Sequence, residues 1–153
     1  MTKSDIIAMA KKWLHEPNSL VVPACKVVTT EVPVSGNTGE RPDVLGWCSW
    51  ASVLIEVKKS RESLHRDLKK PFRKDMSQGI GNFRYVLCEE GIISSAELHK
   101  EWGLLYIHKD HTITIEKAAE KQLSNLNRER RMLFQLLSRS TEYISSYQSS
   151  QSA

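Results

Sequence analysis

Cysteine is scarce in this chain: Cys25, Cys48 and Cys88 are the only three. Their odd number, wide spacing and lack of a Cys-x-x-Cys pair exclude a thiolate zinc cluster and a disulfide framework. All three read as small buried residues. No apolar run approaches the ~20 residues that a bilayer-spanning helix needs, so no membrane partner is expected. A basic-then-apolar leader pattern is also lacking, because Lys11 and Lys12 interrupt the first amphipathic stretch, and a cytoplasmic location is the expectation. His15, His65, His99, His108 and His111 show no His-x-x-x-His spacing and read as surface or hydrogen-bonded structural residues. Gly79-Ile80-Gly81 lacks the Lys-Ser/Thr of a phosphate-binding loop and reads as a flexible turn. No internal repeat is present.

What is there fits one soluble domain with a sizeable core: 153 residues, 40% hydrophobic and 26% charged. The net charge of +4 is mild, but its distribution is uneven. Lys58 to Lys74 carries eight Lys/Arg against Glu62 and Asp67. Such a segment suits a polyanion, where phosphate contacts supply most of the affinity. Its basic residues Lys59, Arg61, Arg66, Lys69, Lys70, Arg73 and Lys74 are the candidate nucleic-acid contacts. An ordinary solvated face is the alternative.

The spacing of Ile6, Ile7, Ala10, Trp13 and Leu14 predicts a helix over 4–16, capped by Ser4 or Asp5 and stopped by Pro17. Residues 26–34 are β-rich, and Ser35-Gly36-Asn37-Thr38-Gly39 reads as a turn. Strands are expected at 43–47, 52–57, 83–88, 103–107 and 112–115. A helix after Ser60 should end or kink at Pro71. A longer helix is expected over 116–144, with Leu126, Leu133, Phe134 and Leu137 as its apolar stripe and Arg128, Arg130, Arg131 and Arg139 around it. The Ser/Gln-rich residues 145–153 read as a disordered tail. The expected domain division is 1–115, then the helical extension 116–144, then the tail. Trp47 and Trp50 flank the turn between the second and third strands, where either core packing or base stacking suits them.

One constellation stands out. Pro42-Asp43 precedes the second strand, and Glu56-Val57-Lys58 closes the third. A hairpin between the two strands would bring both carboxylates and the ammonium together. Alternation along 52–57 points Val53, Ile55 and Val57 one way and Leu54, Glu56 and Lys58 the other. A charge closing an apolar run needs compensation, because an unpaired buried carboxylate is costly. A bound divalent cation would supply it. The bland reading is that Asp43 caps a turn while Glu56 and Lys58 form a solvated pair on an edge strand.

Arg41-Pro42-Asp43-Val44-Leu45, Ile55-Glu56-Val57-Lys58, Ser60-Arg61 and Trp102-Gly103-Leu104-Leu105-Tyr106, in this order of helices and strands, resemble the PD-(D/E)xK nuclease superfamily. Within it the chain looks most like the small MmcB-like DNA-repair proteins, over roughly residues 26–107. The resemblance implies an α/β restriction-endonuclease-like core, a mixed central sheet flanked by helices, here with a C-terminal helical extension. It implies a Mg²⁺-dependent (or Mn²⁺-dependent) deoxyribonuclease acting in DNA repair or processing. Asp43 and Glu56 would hold the metal with the Val57 carbonyl as a further ligand, and Lys58 would orient the attacking water. Family members often add an acidic ligand, for which Glu16 and Glu31 are candidates. The Gln-x-x-x-Tyr element of some relatives is absent after Gln78, which argues against a RecB-like exonuclease. DNA is the expected partner, and cutting both strands would suit a homodimer. The alternative is an inactive nucleic-acid-binding or protein-interaction module of the same fold.

Overall fold

A computed structural model describes residues 1–30 and 41–140. The turn at 35–39, Glu31 and the tail 145–153 lie outside the described residues. Helix α1 (Lys3–His15) starts one residue before its expected position because Thr2, not Ser4 or Asp5, is the cap. The Thr2 hydroxyl accepts from Asp5 N and the Asp5 carboxylate accepts from Thr2 N. This reciprocal box satisfies two orphan donors of the first turn. Ile6, Ala10 and Leu14 fall on one face and are fully buried.

Strands β1 (Val27–Thr29), β2 (Val44–Trp47), β3 (Ser52–Val57), β4 (Phe83–Glu89), β5 (Gly103–Ile107) and β6 (Ile113–Lys117) form one six-stranded sheet in sequence order. β1, β2 and β3 run antiparallel to their neighbours, as do β5 and β6. β3, β4 and β5 are parallel. The molecule is therefore an α/β fold with a mixed sheet. The β3–β4 crossover is made by α2 (Arg61–Leu68) and α3 (Pro71–Lys74). Ser60 caps α2 through its side chain, and Pro71 sits in the first turn of α3, so the chain stops and restarts there.

Both faces of the sheet are covered. On one, Val44, Val53, Ile55, Val57, Tyr85, Leu87, Leu105 and Ile107 pack with the buried stripe of α1. On the other, Leu45, Trp47, Leu54, Val86, Cys88 and Leu104 pack with Leu64 of α2, Trp102 and Met132. Gly46 belongs to this arrangement by necessity. A Cβ there would lie 2.7 Å from Leu14 Cδ2 and 2.9 Å from Cys25 Cβ, so only glycine lets α1 approach β2 this closely.

The expected helix over 116–144 is corrected. β6 runs to Lys117, residues 118–125 are irregular, and α4 spans Leu126–Ser138 from an Asn125 cap. Tertiary hydrogen bonds override the helical pattern: Gln122 N donates to Asn82 O at 2.7 Å, Asn125 N to Gly79 O at 2.9 Å, and Glu120 N to Glu101 O at 3.0 Å. The stripe is also different. Arg128, Glu129 and Met132 face the core, whereas Leu126, Phe134 and Leu137 are exposed. Glu129 is drawn inward by donors. Its carboxylate accepts from Trp47 Nε1 at 2.9 Å, from Ser52 Oγ at 2.8 Å and from Ser124 Oγ. Trp47 thus packs in the core, while Trp50 is exposed, edge-on to Phe83 with Lys121 above its ring.

Candidate active site

The hairpin register explains how Asp43 reaches the third strand. Val44 pairs with Ile55, so Asp43, one residue earlier, lies beside Glu56 and Val57. Val57 N donates to Asp43 Oδ2 at 2.8 Å, and Lys3 Nζ lies 3.3 Å from Asp43 Oδ1. Asp43 therefore ties the start of β2 and the start of α1 to the carboxyl end of β3. That end of a parallel strand is where open α/β sheets bind ligands.

Glu56 and Lys58 share a face, as alternation predicts, but they are not a solvated pair. Their relative exposures are 5% and 7%, and every residue of β3 is buried. The bland expectation of an edge strand is corrected here, since β3 is central. Buried charges must be compensated, and the partners are two residues that the sequence did not single out for this site. Asp67 and Arg73 complete a four-membered network. Arg73 Nη2 donates to Glu56 Oε1 at 3.2 Å, and Arg73 Nε donates to Asp67 Oδ2 at 2.8 Å. Lys58 Nζ lies 3.4 Å from Asp67 Oδ1, and the more exposed Lys70 lies 3.2 Å from the same oxygen. The Arg73 guanidinium also sits 4.8 Å from the ring centroids of both Phe72 and Trp102.

The two acids of the network titrate in opposite directions. Burial pushes the Glu56 carboxyl up to about 8; Arg73 and Lys58 pull it down and Asp43 adds to the rise. Burial also acts against the Asp67 anion, but Arg73, Lys58 and Lys70 outweigh it and hold Asp67 below its ordinary value. Such a split between neighbouring carboxyls marks a site able to hold one proton and one anion near neutral pH. The thiols play no such part. Burial pushes Cys25 up to about 12 and Cys88 to about 11, which suits inert packing residues.

The basic segment divides in the folded molecule. Arg73 is only 3% exposed and belongs to the network, so its expected place on a phosphate-facing surface is corrected. Lys59 pairs with Glu89 at 3.1 Å, Arg61 with Glu97 at 3.2 Å and Lys70 with Asp67. Arg66, Lys69 and Lys74 are exposed and make no salt bridge with the described residues. An open cleft of about 800 Å³ lies at the carboxyl ends of β4 and β5, but Glu89, Glu90 and Asp110 line it, a poor surface for phosphate.

The donor set sets limits on a metal. Among the described residues no three His, Cys, Asp or Glu side chains gather as a ligand group. Glu16 does not join the site: it ends α1, about 20 Å along the helix from Lys3 at 1.5 Å per residue. Two carboxylates, Asp43 and Glu56, remain. That suits Mg²⁺, which keeps several waters and takes one or two protein carboxylates. Lys3, half exposed at 49%, would have to leave Asp43 Oδ1.

Asp67 carried one legible signal. Leu64, Asp67 and Leu68 are spaced i, i+3, i+4, so Asp67 lies on the buried stripe of α2. Arg73 carried none, since it reads as one more cation in a basic run.

No helix among the described residues is long and apolar enough to cross a membrane. No known family profile and no curated protein matches the chain. Among solved structures, the chain is similar to a protein of unknown function from Silicibacter pomeroyi at 18% identity, covering 83% of this chain and 82% of that one, with a TM-score of 0.55. That likeness is one of fold: a mixed-sheet α/β domain shared across most of both chains.

Proposed function

We propose that this chain is a metal-dependent nuclease-like protein of the restriction-endonuclease-like plan, acting on DNA phosphodiester bonds. One observation carries the reading: Glu56 and Lys58 are buried together at the carboxyl end of a central parallel strand, with Asp43 bound across the hairpin to Val57 N. Buried charge at such a position is costly, and function is the usual reason to retain it.

The chemistry follows from what each residue can do. A hard divalent cation, when bound, would neutralise charge on the phosphoryl oxygens and acidify a water. Asp43 and Glu56 would hold it, with the Val57 carbonyl within the same turn of strand. Lys58, anchored by Asp67, would orient the attacking water and face the charge that develops on phosphorus. Arg66, Lys69 and Lys74 would meet the DNA backbone, whose approach is favoured from the α2–α3 side because the β4–β5 cleft is acidic. The test is a cleavage assay with Mg²⁺ and Mn²⁺ on single-stranded, double-stranded and branched DNA. Activity that Glu56→Ala and Lys58→Ala leave unchanged would end the proposal.

A second reading is favoured by one specific observation. Lys3 and Arg73 already neutralise Asp43 and Glu56. A site compensated by its own cations suits an inactive nucleic-acid-binding module of the same fold. Salt-sensitive DNA binding with no metal requirement and no cleavage would select it.

A further inference from the structure

We propose that Arg73 is a resident cation of this site, standing where a second divalent ion would sit, so that the site accepts one divalent cation and not two. The inference rests on the metal-binding reading of Asp43 and Glu56 and adds to it a count and a cause.

Arg73 is held on four sides. Asp67 accepts from Nε at 2.8 Å, Glu56 accepts from Nη2 at 3.2 Å, and the Phe72 and Trp102 rings lie 4.8 Å from the guanidinium carbon. Aromatic faces attract a desolvated cation, and a planar guanidinium satisfies two carboxylates at once, which an ammonium cannot do. Phe72 and Trp102 are themselves buried, at 4% each. Arg73 is therefore fixed in the wall of the site, unlike Lys3, whose half-exposed side chain can swing into solvent.

Charge then sets the count. Glu56 and Asp67 are balanced by Lys58 and Arg73 within the buried network. Asp43 is the one carboxylate left over once Lys3 swings away. One divalent ion brings the site to a single positive charge, which a phosphodiester neutralises. A second ion would leave a large excess of positive charge in a buried setting, where like charges repel strongly. Its natural ligands, Glu56 and Asp67, are already bridged by Arg73. Asp67 thus acts as a positioning residue for both cations.

The test counts bound ions in the full-length protein by Mn²⁺ titration, read from the loss of the free-ion electron paramagnetic resonance signal. The wild type and Arg73→Lys should each bind one ion, while Arg73→Met, which keeps the volume between the rings, should bind two. Two ions on the wild type, or one on a folded Arg73→Met, would overturn the inference. Anomalous density from a Mn²⁺ soak of wild-type crystals decides the matter even if Arg73→Met fails to fold. One peak between Asp43 and Glu56, with Arg73 still on Glu56, is expected, and a second peak against Asp67 overturns it. No bound Mn²⁺ at Asp43 would instead defeat the metal-binding reading itself.

Discussion

Replacing Glu56 with glutamine should change how stability depends on pH. The Glu56 carboxyl is pushed from an ordinary 4.5 up to about 8, chiefly by burial. The folded state therefore holds this proton across a range in which the unfolded chain releases it. Stability from this group is present below pH 4.5 and falls as pH rises, by about 1.4 kcal/mol per unit, until it levels off near 8. The full span corresponds to roughly 5 kcal/mol, of which about 3 kcal/mol falls between about pH 5.5 and 8.5. Glutamine keeps the shape and an oxygen for Arg73 but cannot ionise. The Asp67 contribution runs the other way, because its lowered value gives stability above the ordinary carboxylate range that is lost in acid. The two windows are thus separate. Urea unfolding at the two pH values, with equal m-values as the check on two-state behaviour, should show the wild type losing about 3 kcal/mol that Glu56→Gln retains. Parallel pH profiles for the two proteins would refute the reasoning.

Other sites give independent outcomes. Glu129→Ala should destabilise by about 3 kcal/mol or more in urea unfolding, because it strands the buried Trp47 N–H and the Ser52 hydroxyl. Gly46→Val should be as damaging, since its side chain would enter the Leu14 and Cys25 contact; a melting temperature near wild type would contradict that packing account. Replacing Arg66, Lys69 and Lys74 together with alanine should weaken DNA binding across sequences and flatten the salt dependence by about 0.9 per lost phosphate contact, read by anisotropy titrations at several salt concentrations.

Much of the fold was legible because the relevant signals are local. Apolar spacing placed α1, alternation placed β3 at Ser52–Val57, and Ser60 and Pro71 punctuated the crossover. The C-terminal region was not legible, because its structure is decided at a distance. Asn82, Gly79 and Glu101 capture the backbone of residues 118–125, and Trp47 and Ser52 capture Glu129, turning α4 away from its apolar stripe. The site divides in the same way. Asp43, Glu56 and Lys58 could be found from strand register and alternation, which are properties of one hairpin. Their neutralisation could not, because Arg73 reaches Glu56 across seventeen positions and looks in sequence like its solvated neighbours. Burial on both faces of β3, rather than the residue types, is what separates this cluster from a surface ion pair.

The central claim is that Asp43, Glu56 and Lys58 form a metal-dependent centre for DNA hydrolysis. The most direct measurement follows end-labelled DNA with the wild type, Asp43→Asn and Lys58→Met, each with Mg²⁺, with Mn²⁺ and with chelator. The account predicts metal-dependent cleavage by the wild type, slowed about a hundredfold or more in both variants while their circular dichroism stays unchanged. Cleavage that persists in chelator or survives both substitutions, or a well-folded wild type that binds these DNAs and cuts none of them, would contradict it.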